Sequence, residues 1–154
     1  AASDGDGGPT ARLGDCGGGK PRLTRFALTL EFDGTPFFGL QRQAHGPSVQ
    51  QAVEEAVHAT TGETVTLHAA GRTDAGVHAS GQVIHVDLPE TLELDDLAYK
   101  LNRILDEDIR INNIEIAPAA FHARFSALRR YYEYRILDEN KVIPPLARFN
   151  TEGW

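Results

Sequence analysis

The chain has 154 residues, a formal charge of −7, 41% hydrophobic and 24% charged residues, which suits one globular domain with its own core and is too short for two full ones. The single Cys excludes an intrachain disulfide framework and any multi-cysteine zinc site, and no apolar run reaches the roughly 20 residues that span a bilayer. The acidic balance speaks against a non-specific nucleic-acid coat. The charge is uneven, however: nine acidic residues face three basic ones over residues 85–115, whereas Arg124, Arg129, Arg130 and Arg135 stand against Glu133 over residues 121–135.

Residues 1–19 hold seven of the fifteen glycines and almost no large apolar side chain. Such a stretch cannot bury enough surface to offset its ordering entropy, so a disordered arm is expected there and a folded domain over residues 20–154. Phe26, Leu28, Leu30 and Phe32 alternate with Arg25, Ala27, Thr29 and Glu31, the period of a half-buried strand, and Asp33-Gly34-Thr35-Pro36 supplies turn chemistry after it. Ser48 and Gln51 have capping-box spacing before a helix with Val49, Val53, Ala56, Val57 and Thr60 on one face and Gly62 as its stop. A second strand is expected over 63–69 with Val65 and Leu67 inward. A third runs over 82–88, with Ile84, Val86 and Leu88 on one face and Val83, His85 and Asp87 on the other. A second helix is expected over 95–105, capped by Asp95, with Leu97, Leu101, Ile104 and Leu105 as its stripe. The fourth strand covers 109–117. Its apolar phase changes across Asn112-Asn113, which suggests a bulge. A last strand is expected over 130–137. The order is β-α-β-β-α-β plus one strand: an α+β, ferredoxin-like antiparallel sheet with helices on one face, the other face being left for a partner or for more protein.

The polar loop Gly71-Arg72-Thr73-Asp74-Ala75-Gly76 joins two of these strands and admits two readings. In one, Asp74 makes an Asx-type bond and Gly76 supplies a positive φ. In the other, Asp74 is a carboxylate kept ionised by Arg72 for use as nucleophile or base. The histidines at 68, 78, 85 and 122 match no strong metal-ligand spacing, so no metal is expected.

This loop resembles the signature of the TruA family of tRNA pseudouridine synthases. So do residues 30–39, Gln41-Arg42-Gln43, Ser48-Val49-Gln50, Gly81-Gln82-Val83, the segment from Phe121 to Ala127, and Arg130-Tyr131-Tyr132-Glu133-Tyr134, all in order over roughly residues 23–148. The resemblance implies an isomerase that converts uridine to pseudouridine in the anticodon stem-loop of tRNA, breaking N1–C1′ and joining C5 to C1′, with no metal or organic cofactor. It implies Asp74 as the catalytic carboxylate, attacking the sugar or taking a proton from it. Arg72 is implied to fill the space left by the flipped base or to hold a phosphate, and Tyr132 to stack on the uracil and help remove the C5 proton. For Tyr132 core packing is the competing reading, and Tyr134 is assigned to the core. Arg42, Arg124 and Arg130 are implied phosphate contacts. A homodimer of the complete protein, a tRNA partner, no membrane and a cytoplasmic location complete the expectation. Two departures stand out. Leu40 occupies a position where most members carry tryptophan. The chain also matches only the first of the family's two similar halves, so a truncated chain is expected, with an incomplete cleft and an exposed apolar sheet face. The alternative is a non-catalytic RNA-binding or dimerisation module.

Overall fold

The computed structural model describes residues 19–138 and 141–153; apart from Gly19, the arm expected over residues 1–19 lies outside the described residues. Strand β1 (Leu23–Phe32) is followed by helix α1 (Val49–Thr61), strands β2 (His68–Ala69) and β3 (Ala79–Pro89), helix α2 (Leu94–Ile104) and strand β4 (Ile109–Ala117). The sheet order is β2-β3-β1-β4, with every paired neighbour antiparallel. This is the ferredoxin-like arrangement: β1 and β2 flank β3, as a split βαβ unit demands. Phe26, Leu28, Leu30 and Phe32 of β1 meet Ile84, Val86 and Leu88 of β3 in one buried cluster with Val49, Val53 and Val57 of α1 and Leu97 and Leu101 of α2. Both helices therefore cover one face. No described helix is long and apolar enough to cross a membrane.

Local chemistry explains the element ends. Ser48 caps α1 by accepting from the Gln51 amide, 3.1 Å. The reciprocal half of the box is not formed, because the Gln51 side chain turns outward to Glu55 Oε1. Gly62 ends α1 at φ 77, a conformation glycine adopts without cost. Helix α2 begins one residue before expectation, after Glu93 rather than Asp95. Asp95 and Asp96 fall in its first turn, where their charge suits the helix dipole. Leu94 and Ala98 pack on the core while Ile104 is 47% exposed, so the stripe is rotated from the expected one. The bulge in β4 is present: Thr29 pairs with Asn113 and Leu30 with Ile111, leaving Asn112 unpaired. There the Asn102 side chain of α2 accepts from the Ile111 amide, 2.8 Å, and donates to its carbonyl, 2.9 Å, as a neighbouring strand would.

Three expectations are corrected. The second strand shrinks to two residues, because the Leu67 amide is taken by Glu54 Oε1 of α1, 2.9 Å, instead of by a strand. Of residues 130–137 only β5 (Ile136–Leu137) is a strand, paired in parallel with β6 (Glu152–Gly153). The alternating pattern of 130–135 finds no neighbouring strand among the described residues, and Tyr134 is 77% exposed rather than in the core. The outer sheet face is not bare and apolar. It carries Arg25, Thr29, Glu31 and Asp87, and the segment 118–126 lies over part of it, burying Ala27, His85 and Ala123. Arg25 fixes that segment: Nε and one terminal nitrogen pair with Asp87 (2.8 and 3.0 Å), while the other donates to the Ala119 and Phe121 carbonyls (3.2 and 2.6 Å).

Candidate active site

The loop 71–78 is held on the segment that follows β1. Leu40 donates its amide to the Thr73 carbonyl (3.1 Å), Gly76 donates to Phe37, and Val77 donates to Asp74 (3.1 Å), closing a turn over Ala75-Gly76 with Gly76 at φ 79. The turn reading is thus right about Gly76. It fails for the Asx bond: among the described residues the Asp74 side chain makes no hydrogen bond or ion pair, to Arg72 or to anything else, and it is exposed. The close packing depends on Gly39. At φ 98 it lies so near the loop that a Cβ would stand 2.7 Å from the Thr73 carbonyl oxygen. His78 ties the same loop to the first turn, accepting at Nδ1 from the Gly34 amide (3.0 Å) and donating from Nε2 to the Phe149 carbonyl.

Beside this loop opens a cleft of about 740 Å³, lined by Leu40, Leu67, His68, Gly71, Arg72, His122, Arg124, Phe125, Arg130 and Tyr132 among others. The structure therefore brings Arg72, Arg124, Arg130 and Tyr132 to one place. Asp74 is not among the lining residues and follows Arg72 by two positions in the same loop. Gly71 lets the later segment approach, since a Cβ there would stand 3.0 Å from the Tyr132 hydroxyl and 3.3 Å from the Arg130 side chain. Tyr132 is 72% exposed, which removes the core-packing reading. Among the described residues the cleft lining contains no Asp or Glu, so an acidic chain presents a locally basic, acid-free concavity.

The arginines differ in what they have left to offer. Arg130 donates to the Ala70 carbonyl (2.6 Å) and the Arg124 carbonyl (2.9 Å), stitching the 124–132 segment to the end of β2. Arg42 is not among the lining residues, although its amide donates to Gln50 Oε1 of the lining (2.9 Å), and its guanidinium pairs with Glu54, 2.7 Å. Arg72 and Arg124 make no ion pair among the described residues; Arg124 lies over the Phe125 ring, 5.5 Å from its centroid. Leu40, in place of the family's tryptophan, is buried beneath the loop.

Of the four histidines that the sequence analysis considered together, His68, His85 and His122 meet, while His78 is tied to the first turn. His68 stacks on His85 with centroids 4.8 Å apart, and His122 stands edge-on to His85 at 4.7 Å. One ring nitrogen from each lies within 4.8 Å of the others, close enough for a shared metal ion. Their hydrogen bonds decide what they offer. Nδ1 of His85 accepts from the Ala123 amide, 2.9 Å, and Nδ1 of His122 accepts from the Arg124 amide, 3.1 Å. A neutral imidazole that accepts at Nδ1 carries its proton on Nε2, which then has no lone pair for a metal. Burial, then the Arg25 guanidinium, pushes the His85 pKa down to about 4, and burial lowers that of His122. Both rings are neutral N–H donors near neutral pH.

Comparison with known proteins gives a consistent picture. The family model described as tRNA pseudouridine synthase matches residues 29–126. The chain is 57% identical over 133 residues to the tRNA pseudouridine synthase A of Erythrobacter litoralis, covering 86% of this chain and 53% of that protein. It is 48% identical over 135 residues to the protein of that name from Rhizobium leguminosarum (86% and 49% covered), and 50% identical over 133 residues to that of Frankia casuarinae (86% and 48% covered). The chain spans about half the length of the curated relatives it matches.

Proposed function

The chain belongs to the tRNA pseudouridine synthase family, and from that premise we propose that its cleft takes part in isomerising uridine to pseudouridine in the anticodon stem-loop of tRNA, with Asp74 as the catalytic carboxylate. One observation carries the reading: the loop that bears the exposed Asp74, with no side-chain partner among the described residues, also contributes Arg72 to an acid-free cleft that gathers Arg124 and Tyr132. The isomerisation needs no redox step. Asp74 serves either as the nucleophile on C1′ or as a base toward the sugar; N1–C1′ breaks, the base turns, C5 bonds to C1′, and the carboxylate is regenerated. A uridine must leave its stack to reach such a group. The Tyr132 ring, held over Gly71, provides a stacking face, and its hydroxyl takes part in removing the C5 proton. Arg72 fills the vacated position or holds a phosphate, and Arg124 is the readiest backbone contact. Arg130 acts mainly by holding the segment that carries Tyr132, and Arg42, which is not among the lining residues, is a peripheral contact. The complete protein would work as a cytoplasmic homodimer, a second wall of protein enclosing the open side of this cleft.

The test is tritium release from tRNA whose uridines are labelled at C5, using the wild-type protein and Asp74→Asn, with tRNA affinity measured in parallel. Release by the wild type, lost in the variant at unchanged affinity, is expected. Turnover by the variant would remove Asp74 from the chemistry. Binding without release by the wild type would give the chain the role of an RNA-binding module instead.

A further inference from the structure

The three histidines have no part in the isomerisation above, yet two of them line its cleft. We propose that His68 and His122, packed against the buried His85, form an oxyanion subsite, in which imidazole N–H groups take a backbone phosphodiester of the RNA strand beside the target nucleotide. The proposal rests on the reading of the cleft as an RNA site and assigns a part of it.

The hydrogen bonds around the rings carry the argument. Because Nδ1 of His85 and of His122 each accept from a backbone amide, both rings carry the proton on Nε2; His122 lines the cleft, whereas His85 is buried against its neighbours. The two rings that line the cleft, His68 and His122, have centroids 5.3 Å apart, so the oxygens of one phosphate group can reach both. The third ring, His68, makes no hydrogen bond among the described residues, so it can adopt whichever tautomer a ligand demands. The same arrangement that spoils a metal site suits an acceptor.

The surroundings select an anion among acceptors. Arg25 approaches His85 from β1, its own charge offset by the Asp87 pair, and Arg124 follows His122 on the same loop. The cleft that His68 and His122 line has no carboxylate among the described residues. Phe125, 4.4 Å from the His122 ring and 76% exposed, adds an apolar face on which a base next to the bound phosphate can lie. A phosphate flanked by an aromatic face is the repeating unit of a single-stranded nucleic acid.

The experiment uses the 154-residue chain with nitrogen-labelled histidine and long-range imidazole spectra, titrated separately with oligouridylate, inorganic phosphate and Zn²⁺. His85 and His122 are expected as Nε2–H tautomers, and the His122 and His68 signals are expected to move with oligouridylate and, at higher concentration, with phosphate. Two variants separate donor from acceptor. His122→Asn keeps an acceptor near the Nδ1 position and loses the Nε2 donor, and is expected to weaken oligouridylate binding about fivefold to tenfold. His122→Gln places a donor near Nε2 and is expected to retain more affinity than the Asn variant. Oligouridylate binding that leaves the imidazole signals and the Asn variant unaffected would overturn the subsite while leaving the RNA reading of the cleft intact. Phosphate binding without oligouridylate binding would keep the oxyanion subsite and sink the RNA reading. Stoichiometric Zn²⁺ coordinated by all three rings would replace the proposal with a metal site.

Discussion

Gly39 is where the Asp74 loop meets the rest of the fold, and replacing it with alanine separates two costs that are usually merged. Two other left-handed glycines serve as references. At Gly62, φ 77, and Gly76, φ 79, a Cβ would have nothing within 4 Å of it, whereas at Gly39, φ 98, it would stand 2.7 Å from the Thr73 carbonyl oxygen and 3.4 Å from the Asp74 carbonyl carbon. Gly62→Ala therefore carries only the backbone penalty, about 1–2 kcal/mol for a non-glycine residue in the left-handed region. Gly39→Ala carries that penalty and must also push away a backbone carbonyl by several tenths of an ångström. That carbonyl is held by the Leu40 amide, 3.1 Å, so the displacement loosens a hydrogen bond worth about 1 kcal/mol. The total is about 2–4 kcal/mol, within the roughly 5–15 kcal/mol stability of a small domain, so both variants stay folded. Urea unfolding of wild type, Gly62→Ala and Gly39→Ala, with m-values compared, measures the difference directly. A Gly39→Ala variant no less stable than Gly62→Ala would refute the claim that the Asp74 loop is seated on this glycine.

The remaining predictions concern groups with unusual surroundings. With the His85 pKa lowered from 6.5 to about 4, the unfolded chain takes up a proton before the folded one. The stabilisation is present above pH 6.5, is lost as pH falls toward 4, and totals about 3 kcal/mol. The groups facing this ring are Arg25, His68 and His122, which disfavour its charge, and Asp87, which favours it. His85→Asn keeps an acceptor for the Ala123 amide, so urea midpoints between pH 4 and 7 are expected to flatten in that variant; an unchanged slope would mean His85 titrates normally. Asp33 and Asp87, both held below the usual carboxylate range by hydrogen bonds to Thr35 and Arg25, add a loss of the same sign only at lower pH. The Thr73 hydroxyl is buried without a partner among the described residues, so Thr73→Val is expected to be neutral or stabilising by up to about 1 kcal/mol. A loss of more than that on thermal unfolding would mean the hydroxyl has a partner in solution.

Periodicity and capping alone determined the ferredoxin-like layout. Strand β1, helix α1 with its Ser48 and Gly62 ends, and strand β4 with its bulge at Asn112 all follow from local rules, because alternation, caps and a phase change are written within each segment. The position of the loop that holds Asp74, between β2 and β3, and its Gly76 turn were legible too. Tertiary structure decided what those residues do to one another. It shortened β2, because a glutamate on α1 took an amide that a strand would have used. It left Tyr131 to Arg135 unpaired, because a strand pattern is a demand for a neighbour and none among the described residues meets it. It assembled His68, His85 and His122 from positions far apart in the chain, and only the backbone amides of the 123–125 segment fix which imidazole nitrogens hold protons. A sequence specifies the groups available; the direction in which each presents a proton or a lone pair depends on contacts between segments that no local pattern encodes.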